Sequence, residues 1–364
     1  MFRGDNVLYL TLRRRTVDRL QVRKQVSSMM DRYSRQVIFP GIGEEGQRRL
    51  SNSSVVIIGC GGLGTMLSSS LVRAGVGRVK IVDRDFIEYH NLHRQTLFSE
   101  EDIKNELPKA IAAERYLRKV NSSVEIEGIV ADVNPANIEK LVSGADLIVD
   151  GMDNYETRFL INDISLKHEI PWIYGAVIAS SGMTMSIIPG KTPCFRCLSP
   201  RAPDSGVVGT CDTAGIIGPA PSVIASLQVV AAMKMLMGKA ESTQHLTIVD
   251  VWEGTLRRLK TGYRKDCPAC QGQYEYLEGK SGSEIMLLRG QNVVQVLNTR
   301  GVEISLPDLA ARLEPVARVT VNDFMLRFTV DDKEMIVFLD GRALVRNTTD
   351  ESLARALYAK YIVA

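Results

Sequence analysis

Residues 55–64 read VVIIGCGGLG and give the strongest indication of the fold. Four consecutive apolar residues, 55–58, predict a buried strand, and the glycines that follow form the pattern G-x-G-x-x-G. In this pattern Gly59 allows a tight turn, Gly61 lets the backbone approach a phosphate, and Gly64 lets the next helix pack closely on the strand. Backbone amides at the start of such a helix attract an anion. The stretch therefore predicts a nucleotide-binding α/β fold, which dehydrogenases share with other nucleotide enzymes.

Apolar runs alternate with helical patterns through the first two-thirds of the chain, as is typical of parallel, doubly wound sheets. The predicted strands are Val55–Ile58, Val79–Val82, Val124–Val130, Leu147–Val149 and Trp172–Tyr174. The predicted helices between them are Leu63–Ala74, Lys109–Val120, Asn137–Leu141 and Arg158–His168. A strand at Thr184–Ile188, a long apolar helix at Val223–Leu236 and a strand at His245–Val251 follow. We therefore expect an α/β fold built on a Rossmann-like, doubly wound sheet.

The chain of 364 residues has room for one large domain and a small one. The Gly/Ser-containing stretch EGKSGSE (278–284) is the best candidate for a linker. After it we expect a small α+β domain at 285–364, which contains no cysteine and no histidine. Its predicted elements are an extended segment at Val293–Val296, a helix at Leu306–Leu313, a hairpin of Phe324–Val330 and Glu334–Leu339, and a helix at Glu351–Tyr361. Residues 31–277 then form the large domain, and residues 1–30 a basic N-terminal extension.

The composition excludes several classes of protein. A net charge of +3 is too small to indicate a nucleic-acid partner, and no apolar run approaches the ~20 residues that a membrane crossing needs. We expect a cytoplasmic protein without a nucleic-acid or membrane partner. The Arg-rich start of the chain leaves a targeting peptide as an alternative to a solvated basic helix.

Polar residues cluster where the predicted strands end, which is where open α/β sheets bind ligands. Asp83 follows Gly64 by 19 residues, the place from which an acidic residue accepts a ribose hydroxyl. Lys109 begins a predicted helix and suits a phosphate, and Asp153 follows the strand Leu147–Val149, where it could hold Mg²⁺. The positive charges of Lys109 and of a bound Mg²⁺ favour nucleotidyl transfer over hydride transfer, because the charge of a splitting triphosphate must be neutralised. The nucleotide-binding candidates are Gly59, Gly61, Gly62, Gly64, Asp83, Asp85, Asn91, Arg94, Gln95, Lys109, Asp153 and Asn154.

Four of the six cysteines form two C-x-x-C pairs, Cys194/Cys197 and Cys267/Cys270. Two such pairs predict a closed, structural Zn²⁺ site with no position left for water. Cys211 lies in a Gly/Pro-bracketed loop before the long helix, where the pKa of a thiol can fall. A catalytic thiol and a small unreactive thiol are both possible there.

The chain resembles the ThiF/MoeB-type adenylyltransferases, which are relatives of the ubiquitin-activating enzymes. The resemblance spans residue 31 to about residue 275. It rests on RYSRQ (32–36), GCGGLG (59–64), VDRDFIEYHNLHRQ (82–95), PK (108–109), MDN (152–154), PCFRC (193–197), TCDTAGIIGP (210–219) and CPAC (267–270). One departure is Glu106, where we expect glycine, and this puts the shape of the loop before Lys109 in question.

The resemblance implies ATP-dependent adenylation of the C-terminal glycine of a ubiquitin-like sulfur carrier protein ending in Gly-Gly. It implies ATP contacts from Gly62, Asp83, Asn91, Arg94 and Lys109, and Mg²⁺ at Asp153. Arg35 corresponds to an arginine that reaches the ATP of the neighbouring subunit, which makes a homodimer the active form. Cys211 corresponds to a cysteine that can join the activated glycine during sulfur transfer. The sulfur donor would be a protein such as a cysteine desulfurase or a rhodanese.

Two other functions remain open from the sequence. An NAD(P)-dependent oxidoreductase would explain the glycine turn and Asp83, and a non-catalytic binding module could keep the same fold. The sequence does not specify the carrier protein, and we expect the C-terminal domain to serve docking or to support a dimer.

Overall fold

The computed structural model describes residues 31–202, 214–240, 244–279, 285–288, 292–297 and 304–363. The predicted N-terminal extension, Cys211 and residues 280–284 of the predicted linker lie outside these residues. Residues 278 and 279 still belong to the turns that end the preceding segment, because their amides bond back to Tyr274 and Tyr276.

The larger sheet has eight strands in the order β3-β2-β1-β4-β5-β6-β7-β8. The five strands from β3 to β5 run parallel, as the alternating pattern predicts, whereas β6, β7 and β8 are antiparallel. The strands are β1 (Ser54–Ile58), β2 (Arg78–Val82), β3 (Glu125–Ile129), β4 (Leu147–Asp150), β5 (Trp172–Ile178), β6 (Ser181–Ile187), β7 (His245–Asp250) and β8 (Thr255–Lys260).

The antiparallel end of the sheet adds to the parallel, doubly wound part that the sequence predicts. Only Ala179 and Ser180 separate β5 from β6, and this leaves no room for the helix that a parallel crossover needs. Ala179 turns the chain with a φ of 53°. Strand β8 was not predicted, because all six of its residues are exposed and it lacks an apolar alternation.

Helices cover both faces of the parallel half of the sheet. Helices α3, α5 and α9 pack on one face, and α6 and α7 pack on the other. The helices are α1 (31–38), α2 (Gly43–Ser51), α3 (Gly62–Ala74), α4 (Glu100–Lys104), α5 (Lys109–Val120), α6 (Ile138–Val142), α7 (Tyr155–His168), α8 (Phe195–Leu198) and α9 (Pro219–Leu236). This arrangement is the doubly wound fold that the sequence predicts.

Helix α9 is long and apolar enough to cross a membrane, with a mean hydropathy of 1.3 over 18 residues. A core helix meets the same criterion, and α9 packs against α3, β5 and β6. Ile224, Ala225 and Val229 are buried there, while Val223 and Val230 on the other side are 38% and 52% exposed. The helix therefore covers the sheet with one face and exposes an apolar second face.

The smaller sheet confirms the α+β architecture expected after residue 284. It is antiparallel throughout, with six strands in the order β11-β12-β13-β14-β10-β9. The elements are β9 (Ile285–Leu288), β10 (Val293–Val296), α10 (Leu306–Leu313), β11 (Arg318–Val321), β12 (Met325–Val330), β13 (Lys333–Phe338), β14 (Ala343–Arg346) and α11 (Glu351–Tyr358). Its two helices pack on one face of the sheet. We call residues 285–364 the C-terminal module.

Candidate active site

The glycine turn after β1 lies where the strand order reverses, between β2 on one side and β4 on the other. Gly59 has a φ of 94°, and a Cβ atom there would lie 2.7 Å from the backbone of Gly151. A Cβ atom on Gly64 would lie 1.9 Å from the carbonyl oxygen of Gly59. The fold itself therefore requires these two glycines, for the turn and for the approach of α3 to β1.

Gly61 differs from its neighbours because the protein leaves room beside it. The nearest atom to a Cβ on Gly61 would be Nε2 of Gln95, at an ordinary contact distance of 3.8 Å. Among the residues that the structure describes, no side chain caps the first turn of α3, so its amides are open to a ligand. Gln95 is 3% exposed, and its Oε1 has no hydrogen-bond partner among the described residues. The open cradle and the buried unpartnered oxygen fit a polar ligand such as a nucleotide.

Two carboxylates follow β2 and bind different groups. Asp83 accepts from the amide of Cys60 at 2.5 Å and from the amide of Asp85 at 2.7 Å, so it ties the glycine turn to the next loop. Asp85 faces Lys109, whose Nζ lies 3.0 Å from Oδ2 of Asp85. The amide of Lys109 also donates to the carbonyl of Asp85 at 2.9 Å. Residues 83–88, which we call the Asp85 loop, are therefore joined to residues 105–109, the Lys109 loop.

The electrostatics keep this pair ionised. Desolvation acts to lower the pKa of Lys109, but the charges of Asp85 and Asp83 outweigh it and raise that pKa above its usual value. Desolvation acts to raise the pKa of Asp85, but the charges of Lys109 and Arg84 outweigh it and lower that pKa below its usual value. Lys109 is only 7% exposed. The site thus holds a fixed, buried ammonium close to the glycine turn.

The loop after β4, residues 151–154, carries Asp153. This loop packs beside a buried ion pair between Asp150 and Arg158, in which Nε of Arg158 lies 2.9 Å from Oδ2 of Asp150. Asp150 also accepts from the amide of Met152 at 2.8 Å, and Arg158 donates to the carbonyls of Met152 and Gly175. These bonds fix the path of the loop, which we call the Asp153 loop.

The carboxylate of Asp153 is exposed, and no described group donates a hydrogen bond to it. Its charge nevertheless acts on the pKa values of Lys109, Arg84 and Arg158, so it lies near them. An exposed carboxylate with free oxygens beside a phosphate-binding turn fits Mg²⁺, which prefers oxygen ligands. Asn154 has a structural task instead, because its Oδ1 accepts from the amide of Thr157 and caps α7.

The polar residues around Arg94 complete the wall of the site. The amide of Glu88 donates to Oδ1 of Asn91 at 3.0 Å, so this predicted ATP contact also holds a turn of its own chain. Arg94 donates to the carbonyl of His90 at 2.8 Å, and its aliphatic stem lies beside Gly62. The structure therefore brings the predicted residues after β1, β2 and β4 to one edge of the sheet.

Arg35 lies elsewhere. It is exposed on α1, whose Gln36 donates to the carbonyl of Ala74 at the end of α3. Helix α3 starts at the glycine turn, and its 13 residues span about 20 Å. Arg35 is therefore near the far end of α3 from the nucleotide site of its own chain.

The four cysteines of the two C-x-x-C pairs come together, with all sulfur atoms within 4.8 Å of one another. The Sγ atoms of Cys194 and Cys267 are 3.5 Å apart, and those of Cys197 and Cys270 are 3.6 Å apart. Four thiolates on a tetrahedral Zn²⁺ lie about 3.8 Å from one another, so the donor set fits zinc. The cluster joins α8 to the segment after β8, and both pack on α7.

We expect the purified protein to hold one Zn²⁺ per chain and Cys197→Ser to lose it, because three thiolates and a hydroxyl bind zinc more weakly. Loss of the metal should also lower the unfolding temperature by several degrees. Metal analysis and thermal unfolding measure both effects. Cys60→Ala is the control for the metal analysis, since Cys60 lies in the glycine turn outside the four-cysteine cluster. Full zinc content in Cys197→Ser would contradict this assignment.

The segment after the cluster also binds Asp163 of α7. Oδ2 of Asp163 accepts from the amides of Tyr276 and Leu277, while Oδ1 has no partner among the described residues. Desolvation raises the pKa of this carboxyl to about 6. Because the folded state prefers the protonated form, the carboxyl stabilises the fold most at low pH. This contribution is lost as the pH rises through about 6.

The free energy of unfolding of Asp163→Asn, relative to that of the wild type, should therefore increase by roughly 1 kcal/mol or more as the pH rises from 5 to 8. An amide keeps the hydrogen bonds from Tyr276 and Leu277 but carries no charge to desolvate. Urea unfolding at both pH values measures the difference. Equal pH dependence of the two proteins would show that the carboxyl does not titrate in this range.

Several residues of the site were not found by sequence reasoning. Asp150, Arg158 and Arg84 look in the sequence like ordinary loop or helix charges, yet Arg84 lies 2.7 Å from Asp132 and acts on the site electrostatically. A carboxylate at the end of an apolar strand was the one available signal for Asp150. Arg342 of the C-terminal module also reaches the Asp85 loop, which no local pattern indicates.

Comparisons with known proteins identify the family of the chain. The ThiF family model matches residues 33–269. The chain is 43% identical over 338 residues to the sulfur carrier protein ThiS adenylyltransferase of Bacillus subtilis, covering 92% of this chain and 100% of that protein. It is 37% identical over 245 residues to the SAMP-activating enzyme E1 of Haloferax volcanii, covering 67% of this chain and 90% of that protein.

Among solved structures, E. coli MccB with ATP superposes with a TM-score of 0.58 at 26% identity, covering 66% of this chain and 74% of that chain. The resemblance drawn from the sequence motifs is thereby confirmed. With a glycine turn, a buried lysine and a four-cysteine cluster in the places that these motifs predict, the chain belongs to the ThiF family.

Proposed function

We propose that the protein uses ATP to adenylate the C-terminal glycine of a ubiquitin-like sulfur carrier protein. The observation that carries this proposal is the ion pair between the buried Lys109 and the half-exposed Asp85, beside the open start of α3. A lysine held there and an uncapped helix start both favour the charge of phosphate groups. The full-length similarity to a sulfur carrier protein adenylyltransferase supports the same activity.

In the proposed reaction the carrier's terminal carboxylate attacks the α-phosphorus of ATP. A bond forms between a carboxylate oxygen and that phosphorus, the bond from the phosphorus to the oxygen bridging to the β-phosphate breaks, and pyrophosphate leaves. The carboxylate is already ionised at neutral pH, so no general base is required. Lys109 and Arg94 stabilise the negative charge, and Asp85 keeps Lys109 in position. Asp153 is the proposed ligand of a Mg²⁺ that neutralises the phosphates.

The two other functions are less well supported. A hydride-transfer enzyme gives no task to Lys109 or to the exposed carboxylate of Asp153, and a binding module would not need the charged pair. Titration with NAD(P)H distinguishes the first alternative, because an oxidoreductase would bind it and the proposed enzyme would not.

A carrier of the ThiS kind is the substrate we propose. An alignment that covers 92% of this chain must include most of the C-terminal module, so the similarity to the ThiS adenylyltransferase is not confined to the nucleotide-binding part. The sulfur would come from a donor protein such as a cysteine desulfurase or a rhodanese, with Cys211 as the candidate acceptor of the activated glycine. Such a pathway would operate in the cytoplasm.

A homodimer is the proposed active form. The position of Arg35, at the far end of α3, is unsuited to its own site and suited to contact with a neighbouring subunit. Exposed apolar residues surround this region and the outer face of α9: Ile38 is 69% exposed, Phe39 61% and Val230 52%. Exposed apolar surface of this kind is typical of subunit contacts. A monomeric mass in analytical ultracentrifugation would contradict the proposal.

Mass spectrometry of the carrier tests the proposed activity. After incubation with the enzyme and Mg·ATP, the carrier should gain the mass of one adenylate group, and pyrophosphate should appear in equal amount. A carrier without its last glycine is the matched control and should gain nothing. Absence of the adenylate from the intact carrier, with a folded enzyme, would refute the proposal.

A further inference from the structure

The C-terminal module packs directly against the nucleotide site. One face of its sheet carries the module's two helices. The opposite face presents Met325, Ile336 and Phe338, and these residues enclose Phe86 of the Asp85 loop. The module therefore uses its second apolar face to hold a loop of the larger domain.

Contacts from the module hold the residues on both sides of Asp85. Before it, Arg342 donates from Nη2 to the carbonyl of Arg84 at 2.9 Å. After it, the ring of Phe86 lies 5.6 Å from the ring of Phe338, centroid to centroid. Arg342 is 3% exposed, and its guanidinium lies 3.7 Å above the ring of Phe338, so the two anchors support each other. Asp85 is thus fixed between two neighbours that the module binds.

The same face of the module also binds the Lys109 loop. Glu106 has a φ of 48°, a conformation that usually favours glycine. Its carboxylate lies 3.0 Å from Nη2 of Arg327 in β12, so an ion pair to the module accompanies this strained conformation. Phe324 packs in the same cluster as Leu107, two residues before Lys109. The residue that departs from the family motif is therefore a point of contact with the C-terminal module.

The two sets of contacts are linked through charges within the module. Glu334 lies 3.3 Å from Arg327 and 3.1 Å from Arg346, and Arg346 lies 3.6 Å from Glu88 of the Asp85 loop. A change in the position of the module would thus act on both loops together. These loops carry the two partners of the 3.0 Å ion pair at the nucleotide site.

We propose that Arg342 and Arg327 are positioning residues that hold the Asp85–Lys109 pair in place for ATP, so that the C-terminal module is part of the nucleotide site. The proposal rests on the proposed function for the identity of the nucleotide. Neither arginine touches ATP; each acts through the loop that it binds. A displacement of about 1 Å can remove much of the contribution of a binding or catalytic group. Loss of a contact that fixes the Asp85 loop or the Lys109 loop can therefore weaken nucleotide binding.

Direct binding of a non-hydrolysable ATP analogue with Mg²⁺ to the full chain, without carrier, tests the proposal. We expect Arg342→Met to raise the Kd for the analogue roughly tenfold. Arg342→Lys, which keeps a charged donor for the carbonyl of Arg84, should recover much of the affinity. Hydrogen exchange should be faster at residues 84–88 and 106–109 in Arg342→Met. A general loss of stability would instead speed exchange throughout the chain, so faster exchange confined to these two loops identifies a local effect.

A second pair of variants covers the case in which Arg342→Met does not fold. Glu106→Gly removes the ion pair to Arg327 but suits the backbone at this position, so the loop keeps its conformation. Glu106→Gly, Arg327→Met and the double variant should each raise the Kd several-fold, because each removes the ion pair between Glu106 and Arg327, and the double variant should add little to Arg327→Met. Arg312→Ala is the matched control, since Arg312 donates to the carbonyls of Tyr361 and Ile362 at the end of the module.

A Kd within twofold of the wild type for Arg342→Met, Glu106→Gly and Arg327→Met would overturn the proposal. This result can be told apart from a failure of the proposed function. If the proposed function fails, the wild type itself forms no carrier adenylate, while the effect of the variants on binding of the analogue can still be measured.

Discussion

Lys109→Met is expected to slow carrier-dependent adenylation by a factor on the order of 10² to 10³, the range found when one preorganised charge-stabilising group is removed. Lys109 is 7% exposed and lies 3.0 Å from Asp85, so its ammonium is fixed before ATP binds. Methionine fills a similar volume but cannot stabilise the charge that moves to the pyrophosphate. Single-turnover formation of the carrier adenylate at saturating ATP measures this effect.

The fold should tolerate Lys109→Met because Asp85 does not become a buried, unpaired charge. The side chain of Asp85 is 53% exposed and remains close to Arg84, at 3.7 Å. Lys104→Met, an exposed lysine of α4 five residues earlier, is the matched control and should retain the wild-type rate. Adenylation by Lys109→Met within a factor of three of the wild type would remove Lys109 from the mechanism.

Arg158→Met is expected to destabilise the protein by about 3–5 kcal/mol, because it leaves the carboxylate of Asp150 buried without its partner. Asp150 is 0% exposed and Arg158 is 4% exposed, and Nε of Arg158 lies 2.9 Å from the carboxylate. The substitution also removes the hydrogen bond from Arg158 to the carbonyl of Met152 in the Asp153 loop. Nucleotide binding should therefore weaken in the variant even at temperatures where it remains folded.

Urea unfolding of three proteins tests this prediction. The double variant Asp150→Asn/Arg158→Met should be more stable than Arg158→Met, because it no longer buries a charge. Arg48→Met removes an ion pair whose arginine side chain is 70% exposed and should cost less than about 1 kcal/mol. If Arg158→Met is as stable as Arg48→Met, the buried pair does not stabilise the Asp153 loop.

Much of the fold was predictable because the relevant signals are local. The runs before Gly59, Asp83 and Gly151 are apolar and short, so each indicates a buried strand, and parallel strands bring their ends to one edge. The nucleotide-site candidates at these ends therefore cluster in the structure as expected. The two C-x-x-C pairs were equally informative, because few arrangements other than a metal site use that spacing.

The parts that were not predicted depend on distant contacts. The position of the C-terminal module against the Asp85 loop depends on the pairing of Phe86 with Phe338 and of Glu106 with Arg327, more than 200 residues apart in each case. Strand β8 was missed because it gains its structure from pairing with β7 and buries nothing. The ion pair of Asp150 and Arg158 was missed because burial, not sequence, distinguishes it from a surface pair.

Glu106 shows how the structure resolves a question raised by the sequence. A residue other than glycine before Lys109 suggested a changed loop, but the backbone keeps a φ of 48°. Its carboxylate pairs with Arg327, and the amide of Lys109 still donates to the carbonyl of Asp85 at 2.9 Å. The loop that carries Lys109 therefore reaches the site despite the substitution.

The most direct test of the central claim is isotope exchange between pyrophosphate and ATP, measured with and without the carrier. Reversible attack of the carrier's carboxylate on the α-phosphate predicts rapid exchange that requires both Mg²⁺ and the intact carrier, and that Asp153→Asn strongly reduces. Exchange that proceeds at the same rate without the carrier, or no exchange with the intact carrier present, would contradict the account.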